Sequence, residues 1–148
     1  MSFKIDFKTK WSDFDANKHM RHTAYNDFAA EARMRFFLEK GYDLASFNKL
    51  QIGPILFKEE TNFYREISLG QDITVALAMK GYSEAGERWK ITHDIIKADG
   101  VVAATIDVYG AWLDLKARKL CKPPENMLAV FAELPRTADF EMIPLKKK

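Results

Sequence analysis

The chain has 148 residues, 47% hydrophobic and 30% charged, which is long enough to bury a real core within one domain spanning residues 1–148. Its net charge of +2 excludes the strong basic excess expected of a nucleic-acid binder. A single cysteine, Cys121, excludes an internal disulfide and a cysteine-based zinc cluster, and it fits a reducing, cytoplasmic setting.

The start, Met1 to Lys8, alternates and carries charges, unlike a signal peptide. No apolar run nears the roughly 18 residues that span a bilayer, so no membrane partner is expected. Phe3, Ile5 and Phe7 alternate with Lys4, Asp6 and Lys8, which predicts a half-buried first strand. Trp11 and the Asp-rich stretch after it read as a loop, because Asp and Asn favour turns.

A helix is predicted from about Thr23, as N-cap, with Asp27 in its first turns and Gly41 as its stop. Tyr25, Phe28, Ala29, Ala32 and Phe36 recur at helical spacing. Ala24, Ala30, Met34 and Leu38 widen the apolar surface, so a sheet is expected to wrap this helix on several sides.

Residues 42–53 predict a connection with a short helical turn at most. Four strands follow: Ile55 to Ile67, then Ile73 to Met79, then Trp89 to Ile95, and Val101 to Leu115. Gly70-Gln71-Asp72, Glu84-Ala85-Gly86 and Ala98-Asp99-Gly100 are the turns between them. After Pro123 and Pro124, Glu125 to Leu134 predicts a short closing helix, and Lys146 to Lys148 a solvated tail. Strand, long helix and four sequential antiparallel strands make an α+β protein, its antiparallel sheet curved around one long central helix.

Chemistry concentrates between Asp15 and His22. An acid, an amide and two of the chain's three histidines fall within eight residues there, just before the helix and its unpaired N–H groups. The third, His93, shares an apolar strand face with Trp89 and Ile91, which suits a core histidine. Asp15, His19, His22 and His93 match no standard zinc spacing.

The segment Asp15-Ala16-Asn17-Lys18-His19-Met20-Arg21-His22-Thr23-Ala24-Tyr25 resembles the Asp-x-Asn-x-His-Val-Asn-Asn-x-x-Tyr segment of hotdog-fold acyl thioesterases. Versions of it occur in plant acyl-ACP thioesterases and in bacterial enzymes of the 4-hydroxybenzoyl-CoA thioesterase type. The bacterial loop often reads Asp-x-Asp-x-x-Gly-His. Asp13 and Asp15 keep both acids, Lys18 stands where the Gly would be, and Arg21 and His22 replace the Asn pair. Tyr25 to Arg33, Phe63-Tyr64-Arg65 with Gly70-Gln71-Asp72-Ile73, and Leu113 to Pro124 resemble further family segments, over about residues 3–128.

This resemblance implies a hotdog fold and hydrolysis of an acyl-CoA or acyl-ACP thioester, with no cofactor and no metal. Asp15 would be base or nucleophile, and Asn17 and His19 would position water or the acid. A backbone N–H at the helix start, at His22 or Thr23, would bind the oxyanion. Arg65, Arg88, Lys90, Arg118 and Lys119 are the basic residues available to the CoA phosphates. Phe28, Phe57, Phe63 and Trp89 could line an acyl pocket or pack as core. A homodimer or homotetramer with sites between subunits is implied, and Glu59 and Glu60 would lie on a strand near the partner's site. Plainer roles stand beside these: Asp15 and Asn17 as loop residues, His19 bonded to backbone, and Tyr25 as packing. A hotdog dehydratase or hydratase, or a non-catalytic acyl-thioester binding module, would be the competing functions.

Overall fold

A computed structural model describes residues 3–145. The elements are β1 (Phe3–Phe7), α1 (His22–Glu39), α2 (Leu44–Leu50), β2 (Ile52–Phe63), β3 (Ile73–Tyr82), β4 (Arg88–Lys97), β5 (Val102–Asp114), β6 (Lys119–Cys121), α3 (Met127–Phe131) and β7 (Arg136–Met142). A 3-10 turn at Trp11–Asp13 follows β1. The sheet runs in the order β1-β3-β4-β5-β2, each neighbour antiparallel. β6 folds back to pair antiparallel with the end of β5, and β7 pairs parallel with β3 beyond the reach of β1.

Alternation along the central strands sends Ile73, Val75, Leu77 and Met79 of β3, and Trp89, Ile91, His93 and Ile95 of β4, to one buried face. Helix α1 lies against that face through Ala24, Tyr25, Ala29, Ala32, Phe36 and Phe37. The alanines let the helix approach closely, and each large apolar side chain buried fully contributes about 1.5–3 kcal/mol relative to exposure. Gly110 in β5 serves the same packing: a Cβ there would overlap the Trp89 ring and the Ile55 carbonyl.

Several expectations from the sequence shift. Helix α1 begins at His22 with Arg21 as N-cap, and the Thr23 hydroxyl accepts from the Arg21 side chain instead of capping. Gly41 does follow the helix, at φ +93°. Leu38 is 55% exposed, so one side of α1 is left uncovered. The connection forms a true helix, α2, capped by the Asp43 carboxylate accepting from the Ser46 N–H at 2.7 Å.

Strand β2 starts at Ile52 and ends at Phe63, because the next two N–H groups, of Tyr64 and Arg65, both turn to the Ala103 carbonyl. It does not continue a sequential run: β2 sits beside β5, at the opposite edge of the main sheet from β1. Pro54, which has no N–H to give, is tolerated on this outermost strand. The closing helix is only Met127–Phe131, and β6 and β7 are additions with little periodicity to announce them. Lys146 to Lys148 lie outside the described residues.

Candidate active site

The acid-rich loop is held by its own backbone. Asp15 and His19 close it, with the Asp15 N–H donating to the His19 carbonyl at 2.9 Å and the Lys18 N–H to the Asp15 carbonyl at 3.0 Å. The Asp15 Oδ1 accepts from the N–H groups of Asn17 at 2.9 Å and His19 at 3.4 Å, an arrangement that Asp and Asn favour in turns. Lys18 takes the left-handed conformation, φ +64°, that this closure demands. Lysine here takes a conformation that glycine would adopt without steric cost.

Loop and helix then meet the segment leaving β2. The Met20 N–H donates to the Ile67 carbonyl at 2.8 Å, the Leu69 N–H to the Lys18 carbonyl at 2.9 Å, and His19 bridges to Ser68. This docking sets the His19 Nε2 3.0 Å from the Glu66 Oε2. Tyr25, at the start of α1, is buried with its ring edge-on to Phe63 at 5.0 Å. Burial raises its phenol above the ordinary tyrosine range; a hydrogen bond with the Ile67 backbone opposes this, and the Glu66 and Asp15 carboxylates add to it.

These groups surround one open cavity of about 410 Å³. Asp15, His19, His22, Arg65 and Glu66 supply its polar wall, and Met20, Tyr25, Phe63 and Tyr64 its apolar one. The cavity lies at the start of α1, whose first N–H groups have no partner within the helix. A carboxylate, an imidazole–carboxylate pair and a helix N-terminus thus share one space. That set can direct a nucleophile at a carbonyl and stabilise the oxyanion that forms.

Of the residues singled out in the sequence, Asp15, His19, His22 and Arg65 border this cavity. Asn17 is exposed and meets Asp15 through its backbone N–H, and the Thr23 hydroxyl is held by Arg21. The other basic candidates lie elsewhere. Arg88 stands over the Phe57 ring at 5.4 Å. Lys90 reaches Glu141 at 3.9 Å, in a charged hollow on the face of the sheet away from α1. Arg118 and Lys119 are exposed at the turn into β6. Among the aromatic candidates only Phe63 lines the cavity: Trp89 is buried core, Phe28 packs on Phe7, and Phe57 lies beside Tyr109.

Glu66 and Tyr64 also line the cavity, and the sequence alone does not single them out as site residues. They directly follow the strand residues, and nothing local in Tyr64-Arg65-Glu66 announces that this segment folds onto the motif loop.

His93 is fully buried in the core. Its Nδ1 lies 2.8 Å from the Ile106 carbonyl and its Nε2 3.2 Å from the Arg33 guanidinium. A neutral ring serves both, donating from Nδ1 and accepting at Nε2. Burial, then the Arg33 charge, pulls its pKa down to about 3.

A mainly antiparallel sheet packed on one long helix is a hotdog fold, and here the acid–imidazole cavity opens at the helix start. The chain belongs to the thioesterase-like superfamily, whose family model matches residues 9–131. A Staphylococcus aureus hypothetical protein determined in complex with CoA is 23% identical, with TM-score 0.84 over 93% of this chain and 89% of that one. A 1,4-dihydroxy-2-naphthoyl-CoA thioesterase from Synechocystis is 15% identical, with TM-score 0.79 over 90% and 98%. A putative oleoyl thioesterase from Lactobacillus plantarum is 14% identical, with TM-score 0.83 over 100% of this chain and 54% of that one. No curated protein matches the chain.

Proposed function

We propose that the protein hydrolyses an acyl thioester, of CoA or of an acyl carrier protein, to the free acid and the thiol. The observation that carries this is the convergence of Asp15, the His19–Glu66 pair and the start of α1 on one cavity. The Asp15 Oδ1 is engaged by loop N–H groups, while no bond to its Oδ2 is found among the described residues. That second oxygen either takes a proton from an attacking water or attacks the carbonyl itself, forming an anhydride that water then opens. Either way the carbonyl oxygen becomes an oxyanion at the helix N-terminus, by His22 and Thr23, before the C–S bond breaks and the thiolate leaves. His19, held by Glu66, orients the water or the acid, and Arg65 meets the carrier's phosphates at the mouth.

Family membership and the CoA complex of the Staphylococcus aureus protein support the substrate class. The naphthoyl and oleoyl names attached to the two other similar proteins span aromatic and fatty acyl groups. We assign one such domain to the whole chain and place it in the cytoplasm with its CoA substrates. We also assign it a homodimer at minimum. Strand β2 has only β5 beside it among the described residues, and Leu56 and Phe57 on it are 40% and 49% exposed.

Thiol release from acetyl-, hexanoyl-, palmitoyl- and benzoyl-CoA, and from an acyl carrier protein loaded with the same groups, tests the reading. Turnover of at least one is expected. Tight binding of these thioesters without turnover would favour a binding module.

A further inference from the structure

We propose that Arg21 is a positioning residue, its guanidinium locking the motif loop to the first turn of α1 and so fixing Asp15 relative to the helix-start N–H groups. This rests on the thioesterase reading above. Arg21 joins more partners here than any neighbour does. Its Nε donates to the Ser12 carbonyl at 2.6 Å, its Nη1 donates to the Thr23 hydroxyl, and its Nη2 lies 3.6 Å from the Asp27 carboxylate. Its backbone N–H donates to the Asp13 carbonyl at 2.8 Å, and its own carbonyl accepts from the Ala24 N–H at 2.9 Å. The chain before the loop is fastened in turn by the buried Asp13 carboxylate, which accepts from the Lys10 N–H at 2.8 Å. One planar fork therefore ties the stem of the loop to the helix on two sides.

Helix stability does not explain an arginine there. The N-cap favours short side chains that accept from the first N–H groups, and Arg21 makes no such bond. A cation at the positive end of a helix is also disfavoured by the helix dipole. The same charge favours an anion that forms at that end, which is where the thioester oxyanion would be. Lysine could supply the charge, but a single ammonium cannot reproduce a rigid fork with separate nitrogens for Ser12, Thr23 and Asp27.

Arg21→Lys, Arg21→Ala and Thr23→Val, which removes one arm only, are compared with Asp15→Asn on the acyl-CoA turned over fastest. Both Arg21 variants are expected to lose about 10- to 100-fold in kcat with KM within about two-fold, since geometry at the reacting centre is lost and substrate binding is not. Thr23→Val should lose less, in the same direction. The melting temperature of Arg21→Ala should stay level or rise, whereas a merely structural role would lower it. Hydrogen exchange gives a readout independent of turnover: amides from Asp15 to Thr23 should exchange faster in both Arg21 variants, and those of β3 and β4 should not. Wild-type kcat in Arg21→Lys, or unchanged exchange across Asp15 to Thr23, would overturn the proposal. Full turnover by Asp15→Asn would instead sink the thioesterase reading, and exchange alone would then decide whether Arg21 is a clamp.

Discussion

The imidazole of His19 meets the carboxylate of Glu66 at 3.0 Å, which joins the motif loop to the segment that leaves β2. Glu66 is mostly exposed, so its replacement leaves the fold standing. If the pair orients the water or the acid, Glu66→Gln should lower kcat/KM by about 100-fold, or about 2.7 kcal/mol of transition-state stabilisation. Steady-state kinetics beside an unchanged melting curve checks this. Full activity would place the pair outside the chemistry.

Lys18 is a test of the loop's backbone. At φ +64° a side chain costs roughly 1–2 kcal/mol. Lys18→Gly removes that strain but gains freedom in the unfolded chain, so the denaturation midpoint should shift by no more than about 1 kcal/mol in either direction. Lys18→Val puts a β-branched side chain at the same φ and should lose about 1–2 kcal/mol and much of the activity. Equal stability in the valine variant would contradict the strain.

His93 sets a pH dependence whose sign is fixed. Its folded pKa of about 3 lies below the unfolded value near 6.5, so the unfolded chain binds the proton first as pH falls. The contribution is whole above pH 6.5 and is lost progressively toward pH 3, by up to about 1.4 kcal/mol per pH unit. Urea titrations between pH 7 and 4 should show a steeper loss for the wild type than for His93→Gln. The variant should also start about 1–3 kcal/mol lower, because it disturbs the buried partner of Arg33. Parallel slopes would mean that the ring titrates while folded.

The open edge of β2 gives a prediction about assembly. Sedimentation should give at least twice the 17.1 kDa of one chain, and Phe57→Asp, which puts a charge on that edge, should return it toward one. A wild-type monomer at micromolar concentration would remove the dimer.

Much of the fold is legible in the sequence because burial there follows a single period. Ile73 to Met79 and Trp89 to Ile95 alternate cleanly, Asp99-Gly100 marks its hairpin, and Gly41 stops its helix. Elements set by tertiary contacts are not legible. Strand β2 could not be placed beside β5, since pairing between distant strands leaves no local period. Strands β6 and β7 are short or mostly exposed and carry no alternation. In the site, Asp15, His19 and His22 are legible because one motif holds them together. Glu66 is not, because only the folding of the 64–69 segment onto the loop brings it to His19. Thr23 fits the cap on residue preference alone, but the helix already begins at His22, so Thr23 lies inside its first turn and its hydroxyl accepts from Arg21.

The most direct measurement is thiol release from the acyl-CoA and acyl-carrier-protein panel by the wild type and by Asp15→Ala, with the fold of the variant checked by circular dichroism. Asp15 as base or nucleophile requires turnover of at least one member and a loss of at least about 1,000-fold in the folded variant. Equal turnover by the two proteins would contradict it and remove Asp15 from the chemistry.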